Sequence, residues 1–159
     1  MRITILAIGK LKESYWKEAL AEYLRRLSTH AKVEVVELPD RDKQEARAEC
    51  AQTREGVDIL KRLSSLSGGN NYIIALDGKG KQLSSEEISA KIDDLKLSGK
   101  SQLAFVIGGS NGLSLQALSA ANEALSFGKQ TWPHQLARVM LAEQLYRAFT
   151  ISAGHPYHK

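Results

Sequence analysis

The sequence lacks most of what would tie it to an oxidising or membrane setting. Its one cysteine, Cys50, rules out an internal disulfide, which suits a reducing compartment without requiring one. No apolar run approaches the ~18 residues of a membrane span. The apolar start, Ile3 to Gly9, is cut off by Lys10 and Lys12 and is too short for a secretory h-region with a cleavage site. Cytoplasm is therefore expected. Metal-ligand spacing is missing as well: His155 and His158 stand three apart near Pro156, with no cysteine or acidic cluster beside them, so no metal is expected. Proline occurs only at 39, 133 and 156.

Charge of one sign does not dominate, since the formal net charge is +4. Its distribution says more. Residues 1–30 carry six Lys/Arg against three Asp/Glu, and residues 125–159 carry four against one, whereas the stretch between has twelve against fourteen. Basic ends on a slightly acidic middle fit an anionic partner docking where the ends meet, and equally fit an unevenly solvated surface.

What is present alternates. Arg2 to Gly9 is a β-branched run that reads as a buried strand. From Glu13 to Ser28, apolar residues from Tyr15 to Leu27 recur at three- and four-residue steps, as on an amphipathic helix. Val33 to Leu38 is a second strand, stopped by Pro39. The charged residues 40–67 are expected as a long helix closed by Ser67-Gly68-Gly69-Asn70. Tyr72 to Leu76 is a third strand, with Asp77-Gly78-Lys79-Gly80 as its turn. Ser84 and Glu87 form a capping box opening a helix to about Leu97. Leu103 to Ile107 is a fourth strand leading into Gly108-Gly109-Ser110-Asn111-Gly112, then a helix from about Leu115 to Ala124. Ala124 to Phe127 is a candidate fifth strand. Pro133 suits the first turn of a final helix to about Ser152, leaving 153–159 as a tail.

Alternating strands and helices predict an α/β fold, a mostly parallel sheet with helices on both faces. The 159 residues fit one domain, as domains hold ~100–200 residues. Ligands of such sheets bind at the carboxyl ends of strands, which selects the loops after Leu76, Ile107 and Phe127.

The loop 108–112 allows several meanings. It misses the dinucleotide fingerprint, because its glycines fall at positions one, two and five. It matches the Gly-x-Ser-x-Gly nucleophile elbow in the right context, which makes a serine esterase using Ser110 one alternative. That enzyme would need Glu123 or Glu143 as acid and His134, His155 or His158 as base. It also fits a turn whose missing side chains let backbone approach a ligand, or a connection with no ligand. Gly99-Lys100-Ser101 resembles the end of a phosphate loop, but Asp94 stands where the partner glycine belongs and a strand follows. Cys50, in a charged helical stretch, has no basic partner to activate it. On the final helix, Glu143 and Arg147 take the favourable i, i+4 order. Trp132 and Tyr157 offer rings able to stack on bases.

Four segments carry a resemblance that spans the chain: ITILAIGK with LKESYW (3–16), FVIGGSNGLS (105–114), ALSFGKQTWPHQLARVMLAEQLYRAF (124–149) and HPYHK (155–159). Together they resemble the ribosomal RNA large-subunit methyltransferase H family, which methylates N(3) of a pseudouridine in large-subunit RNA. The resemblance implies the SPOUT fold with a C-terminal trefoil knot, a homodimer, and S-adenosylmethionine as cofactor. It maps cofactor contacts onto Leu76, Gly108 and the run Phe127-Gly128-Lys129-Gln130-Thr131-Trp132. Ribosomal RNA, read in a loop with unstacked bases, is the implied partner, and the assembled ribosome the expected substrate. The candidates for assisting proton loss are His155, Tyr157 and His158, with Arg147 and Glu143 as orienting groups. A non-catalytic ribosome-binding factor using only the basic ends is a further alternative.

Overall fold

The computed structural model describes residues 1–42, 45, 47–66 and 70–158. Its elements are β1 (Arg2–Ile8), α1 (Ser14–Leu27), β2 (Lys32–Leu38), α2 (Ala48–Ser64), β3 (Asn71–Gln82), α3 (Ser85–Leu97), β4 (Gln102–Ile107), α4 (Leu115–Ser119), β5 (Glu123–Ser126) and α5 (His134–Ser152). The five strands form one sheet in the order β2-β1-β4-β3-β5, and every pairing is parallel.

The central strands read as continuous apolar runs because both of their faces are covered. In β1, Ile3, Ile5 and Ala7 join a core with Leu20 and Leu27 of α1, Ile92 and Leu95 of α3 and Leu141 and Leu145 of α5. Leu6 and Ile8 point the other way, onto Ile59 and Leu63 of α2 and Ala117 of α4. Each fully buried Ile or Leu contributes roughly 1.5–3 kcal/mol, so the two layers hold the sheet from both sides. Helix α3 begins with the expected capping box: the Ser84 hydroxyl accepts from the Glu87 backbone N–H, and the Glu87 carboxylate accepts from the Ser84 N–H at 2.7 Å.

Three boundaries differ from the sequence expectation, each for a local reason. The charged stretch does not become helical at residue 40; α2 starts at Ala48. The Asp40 carboxylate instead accepts from the Asp42 N–H at 3.0 Å, a local bond that competes with helix formation. The expected Ser67-Gly68-Gly69 stop lies outside the described residues. Strand β3 does not end at Leu76. It shifts register through 77–80 and resumes pairing, Lys81 with Leu125 and Gln82 with Ser126. Gly80 permits this crossing, since a Cβ there would stand 2.6 Å from the Leu125 backbone. Finally, α4 is one short turn, and the residues expected to extend it to Ala124 turn into β5.

Candidate functional site

The loops after β3, β4 and β5 converge at the carboxyl ends of their strands around a cavity of about 620 Å³, within the ~300–1,000 Å³ usual for small-molecule sites. Leu76, Gly108 and the whole run Phe127 to Trp132 line it, so all eight residues expected to contact a cofactor share one cavity. Sequence reasoning did not single out Asp77, Ser126 or Ala137, and considered His134 only as an esterase base, yet all four line it too; only their neighbourhood to the selected loops pointed there. Trp132 is 40% exposed, an open ring at the rim. His134 is held below its ordinary pKa, first by burial and then by the Arg138 charge, so a neutral imidazole faces the cavity.

The glycine loop is shaped by its own backbone. A Cβ on Gly108 would stand 2.7 Å from the carbonyl carbon of Gly112; Gly112, at φ +73, donates its N–H to Gly109 at 3.1 Å. Glycine is therefore required at 108 so that the loop can fold back on itself.

Asp42 ties this loop to the chain after β2. Its carboxylate accepts from the Ser110 hydroxyl at 2.8 Å and from the Asn111 amide at 2.6 Å, and those two bonds lower its pKa. The hydroxyl of Ser110 is thus committed to a carboxylate, and among the described residues no histidine hydrogen-bonds to it. An esterase elbow needs that histidine, and the geometry does not supply it.

Behind the N-terminus of α5, the Arg138 side chain is fully buried. It donates to the carbonyls of Ile8 at 2.6 Å and Gly9 at 2.8 Å, and to Glu37 at 3.0 Å. This cluster clamps α5 to the carboxyl end of β1. Because Ala137 and His134 on the same helical turn line the cavity, the clamp also sets one wall.

A second cavity, about 530 Å³, shares Ser126, Phe127 and Gly128 with the first and includes Glu143, Tyr23, Met140 and Ile88. Over its Glu143 wall folds the tail. The Glu143 Oε1 accepts from Arg147 Nε at 2.9 Å and from the Tyr157 hydroxyl at 3.2 Å, while its Oε2 accepts from Gln144 at 2.7 Å. The Arg147 guanidinium carbon lies 4.8 Å from the centre of the Tyr157 ring. Arg147 Nη1 faces His158 Nδ1 at 3.3 Å, and His158 Nε2 meets Glu86 Oε1 at 2.8 Å. A guanidinium can only donate, so His158 Nδ1 accepts and the ring hydrogen sits on Nε2, donated to Glu86. Hydrogen bonds hold the Glu86 carboxyl down at about 2, that from Ser84 being the largest and that from His158 contributing. Tyr157 is pushed up to about 12, mainly by burial and by its interactions with Tyr23 and Glu143.

Four of the five expected catalytic residues, Glu143, Arg147, Tyr157 and His158, therefore form one hydrogen-bonded cluster. His155 stands apart: its ring lies 6.3 Å from that of His30, which stacks on Phe149 at 5.8 Å. Cys50 is exposed. Among the described residues no group of three His, Cys, Asp or Glu is placed to hold a metal ion, and no helix is long and apolar enough to cross a membrane.

A parallel sheet between two helical layers, with a cavity of small-molecule size in its carboxyl-end loops, defines an α/β protein. Two solved structures share the fold. A probable methyltransferase from Bordetella pertussis Tohama I aligns over 92% of this chain and 93% of its own with TM-score 0.58 at 14% identity. A probable methylase family protein from Haemophilus influenzae Rd KW20 aligns over 99% and 70% with TM-score 0.52 at 12% identity. Residues 1–158 match the family described as "Predicted SPOUT methyltransferase", and the chain belongs to that family. Proteins called ribosomal RNA large subunit methyltransferase H from Bacillus anthracis and Bacillus cytotoxicus are each 52% identical to it, with the full length of both chains covered.

Proposed function

We propose that this SPOUT methyltransferase transfers a methyl group from S-adenosylmethionine to N(3) of a pseudouridine in large-subunit ribosomal RNA, on the assembled ribosome. The observation that carries the proposal is the convergence of Leu76, Gly108 and Phe127 to Trp132 on one cavity, in a chain 52% identical over its full length to ribosomal RNA large subunit methyltransferases H.

The cavity fits the cofactor by size and by lining: apolar Leu76, Ile107, Phe127 and Ala137 stand beside loops that offer backbone N–H and C=O groups. When bound, S-adenosylmethionine supplies an already activated methyl group, so the protein's task is alignment. Leu76, Gly108 and Phe127 to Trp132 hold the cofactor, and the shared wall at Ser126 to Gly128 separates it from the second cavity, which takes the acceptor base. Glu143, accepting from three side chains, orients Arg147 and Tyr157. Tyr157, with its raised pKa, keeps its proton at neutral pH and acts as a hydrogen-bond donor or a stacking ring. His158 is the remaining member able to receive the N(3) proton, provided that Arg147 releases its Nδ1 when substrate enters.

The same proposal takes residues 1–159 as one methyltransferase domain, threaded as a trefoil knot at the C-terminal end and working as a homodimer in the cytoplasm. Support for the threading comes from β5, which pairs with the outer edge of β3 while α5 returns to the core with α1 and α3. Calorimetry with S-adenosylmethionine, followed by methyl transfer to assembled ribosomes from cells lacking the modification, tests the function. Saturable binding and transfer are expected; reaction of Ser110 with a fluorophosphonate, without cofactor binding, would replace the proposal by the esterase.

A further inference from the structure

The amino ends of the strands carry a second feature, remote from the cavities. A groove there is lined by Arg2, Lys32, Lys96, Lys100, Gly99 and Ser101 together with Met1, and among the described residues no carboxylate lines it. Register explains the assembly. Arg2 pairs directly with Lys32 on one side and with Gln102 on the other, so strands ~4.8 Å apart bring these first residues side by side. Gly99, at φ +79, turns the chain out of α3 so that Lys100 and Ser101 enter the same edge, and the Arg2 N–H donates to the Ser101 carbonyl at 3.0 Å.

Ordinary local compensation does not absorb this charge. Lys96 pairs with Asp93 at 2.8 Å and lies over the Phe149 ring at 4.6 Å. Arg2, Lys32 and Lys100 have no ion-pair partner among the described residues. The C-termini of α1 and α3 abut this edge, and each offers about half a negative charge. Four cations against Asp93 and the partial negative charges of the helix ends leave a net positive groove open to solvent. The aromatic series from Phe149 through His30 to His155 continues the same edge beyond Lys96.

We propose that this groove docks the phosphodiester backbone of the ribosomal RNA, at a point roughly 20 Å from the reacting nucleotide, the length of the central strands at ~3.3 Å per residue. The proposal rests on RNA being the substrate. Cations without carboxylate partners recognise phosphate without reading sequence, so the groove sets how the enzyme sits on its substrate while the opposite end performs the transfer.

The test uses the full chain carrying Arg2→Gln, Lys32→Gln and Lys100→Gln together, with the Lys32→Arg, Lys100→Arg variant as control. Assembled ribosomes whose large subunits lack the modification are the probe, read by co-sedimentation and by methyl transfer over a salt series. The triple variant should keep its S-adenosylmethionine affinity and kcat while its KM for ribosomes rises about tenfold. The slope of log affinity against log salt should fall by ~0.7–0.9 for each phosphate that the variant no longer neutralises. The arginine control should behave as the parent. Unchanged KM and salt slope in the triple variant would overturn the docking proposal, as would equal weakening in the arginine control. If the parent chain sediments with ribosomes but transfers no methyl group, the proposed function fails while the sedimentation of the triple variant still decides the groove.

Discussion

The two ends of the sheet are built on different physical terms. At the carboxyl ends, the cavity is formed by backbone and apolar walls; its shape depends on Gly108 folding against Gly112 and on Gly80 crossing β5. At the amino ends there is little enclosure, and among the described residues four cations line a groove without a carboxylate. The first arrangement suits a small molecule held by close approach, a contact that depends little on salt. The second attracts a polyanion over a longer range and weakens as ions screen it. A protein that must bind a small cofactor and a very large anion has reason to separate the two.

The largest effect should come from removing the tail, whose Tyr157 hydroxyl donates to Glu143 on the wall of the second cavity. Deleting residues 155–159 should leave S-adenosylmethionine affinity nearly unchanged, because among the described residues none of the tail lines the first cavity. Methyl transfer should fall ~100- to 10,000-fold, the usual contribution of proton-transfer assistance. Paired calorimetry and methylation assays on the truncated chain measure both, and normal transfer would mean that the acceptor site lies elsewhere.

Arg138→Met attacks the carboxyl end from behind. It leaves Glu37 and the Ile8 and Gly9 carbonyls without their guanidinium. Removing one partner of a fully buried pair costs about 3–5 kcal/mol; because the Glu37 side chain is 32% exposed, denaturant unfolding should show a drop up to that size, and cofactor affinity should fall with it. The salt dependence of binding to ribosomes should not change in the fraction that stays folded.

Gly108→Ala is expected to cost about 1–3 kcal/mol by overpacking, since the added Cβ meets the Gly112 backbone. Thermal unfolding should register that cost alongside weakened cofactor binding, as both follow from a displaced loop. Weaker cofactor binding at unchanged stability would mean instead that the side chain blocks the ligand directly.

The smallest effect concerns pH. Tyr157, pushed up to about 12, is protonated throughout the working range, so Tyr157→Phe should lower the rate without altering the shape of the pH–rate profile across the neutral range. A limb that disappears in the variant would show the phenol titrating during catalysis.

Much of this was legible in the residues. Periodicity, charge, the Ser84–Glu87 capping box and Pro133 together located the strands and helices of the described residues, and the rule that ligands sit at carboxyl ends selected the three loops that line the first cavity. Boundaries failed where side chains competed with regular structure or glycines allowed it to continue: Asp40 and Asp42 delayed α2, while Gly78 and Gly80, which read as a turn, let β3 run on. The tail's polar residues pointed to a site, but only the fold shows that Glu143 and Glu86 organise it and that His155 belongs to another edge. The basic groove was invisible to counts along the chain, because Lys32, Lys96 and Lys100 lie in the stretch that totals as slightly acidic. Strand register, which no local pattern encodes, brings them to Arg2.

The central claim is that this chain methylates one pseudouridine of the large-subunit RNA. Purified protein, S-adenosylmethionine and assembled ribosomes from cells lacking the enzyme should be combined, and the large-subunit RNA digested and weighed by mass spectrometry. The account predicts a single fragment, containing pseudouridine, that gains the mass of one methyl group. Saturable cofactor binding with no methyl gained on that RNA, or a methyl gained on a different base, would contradict it.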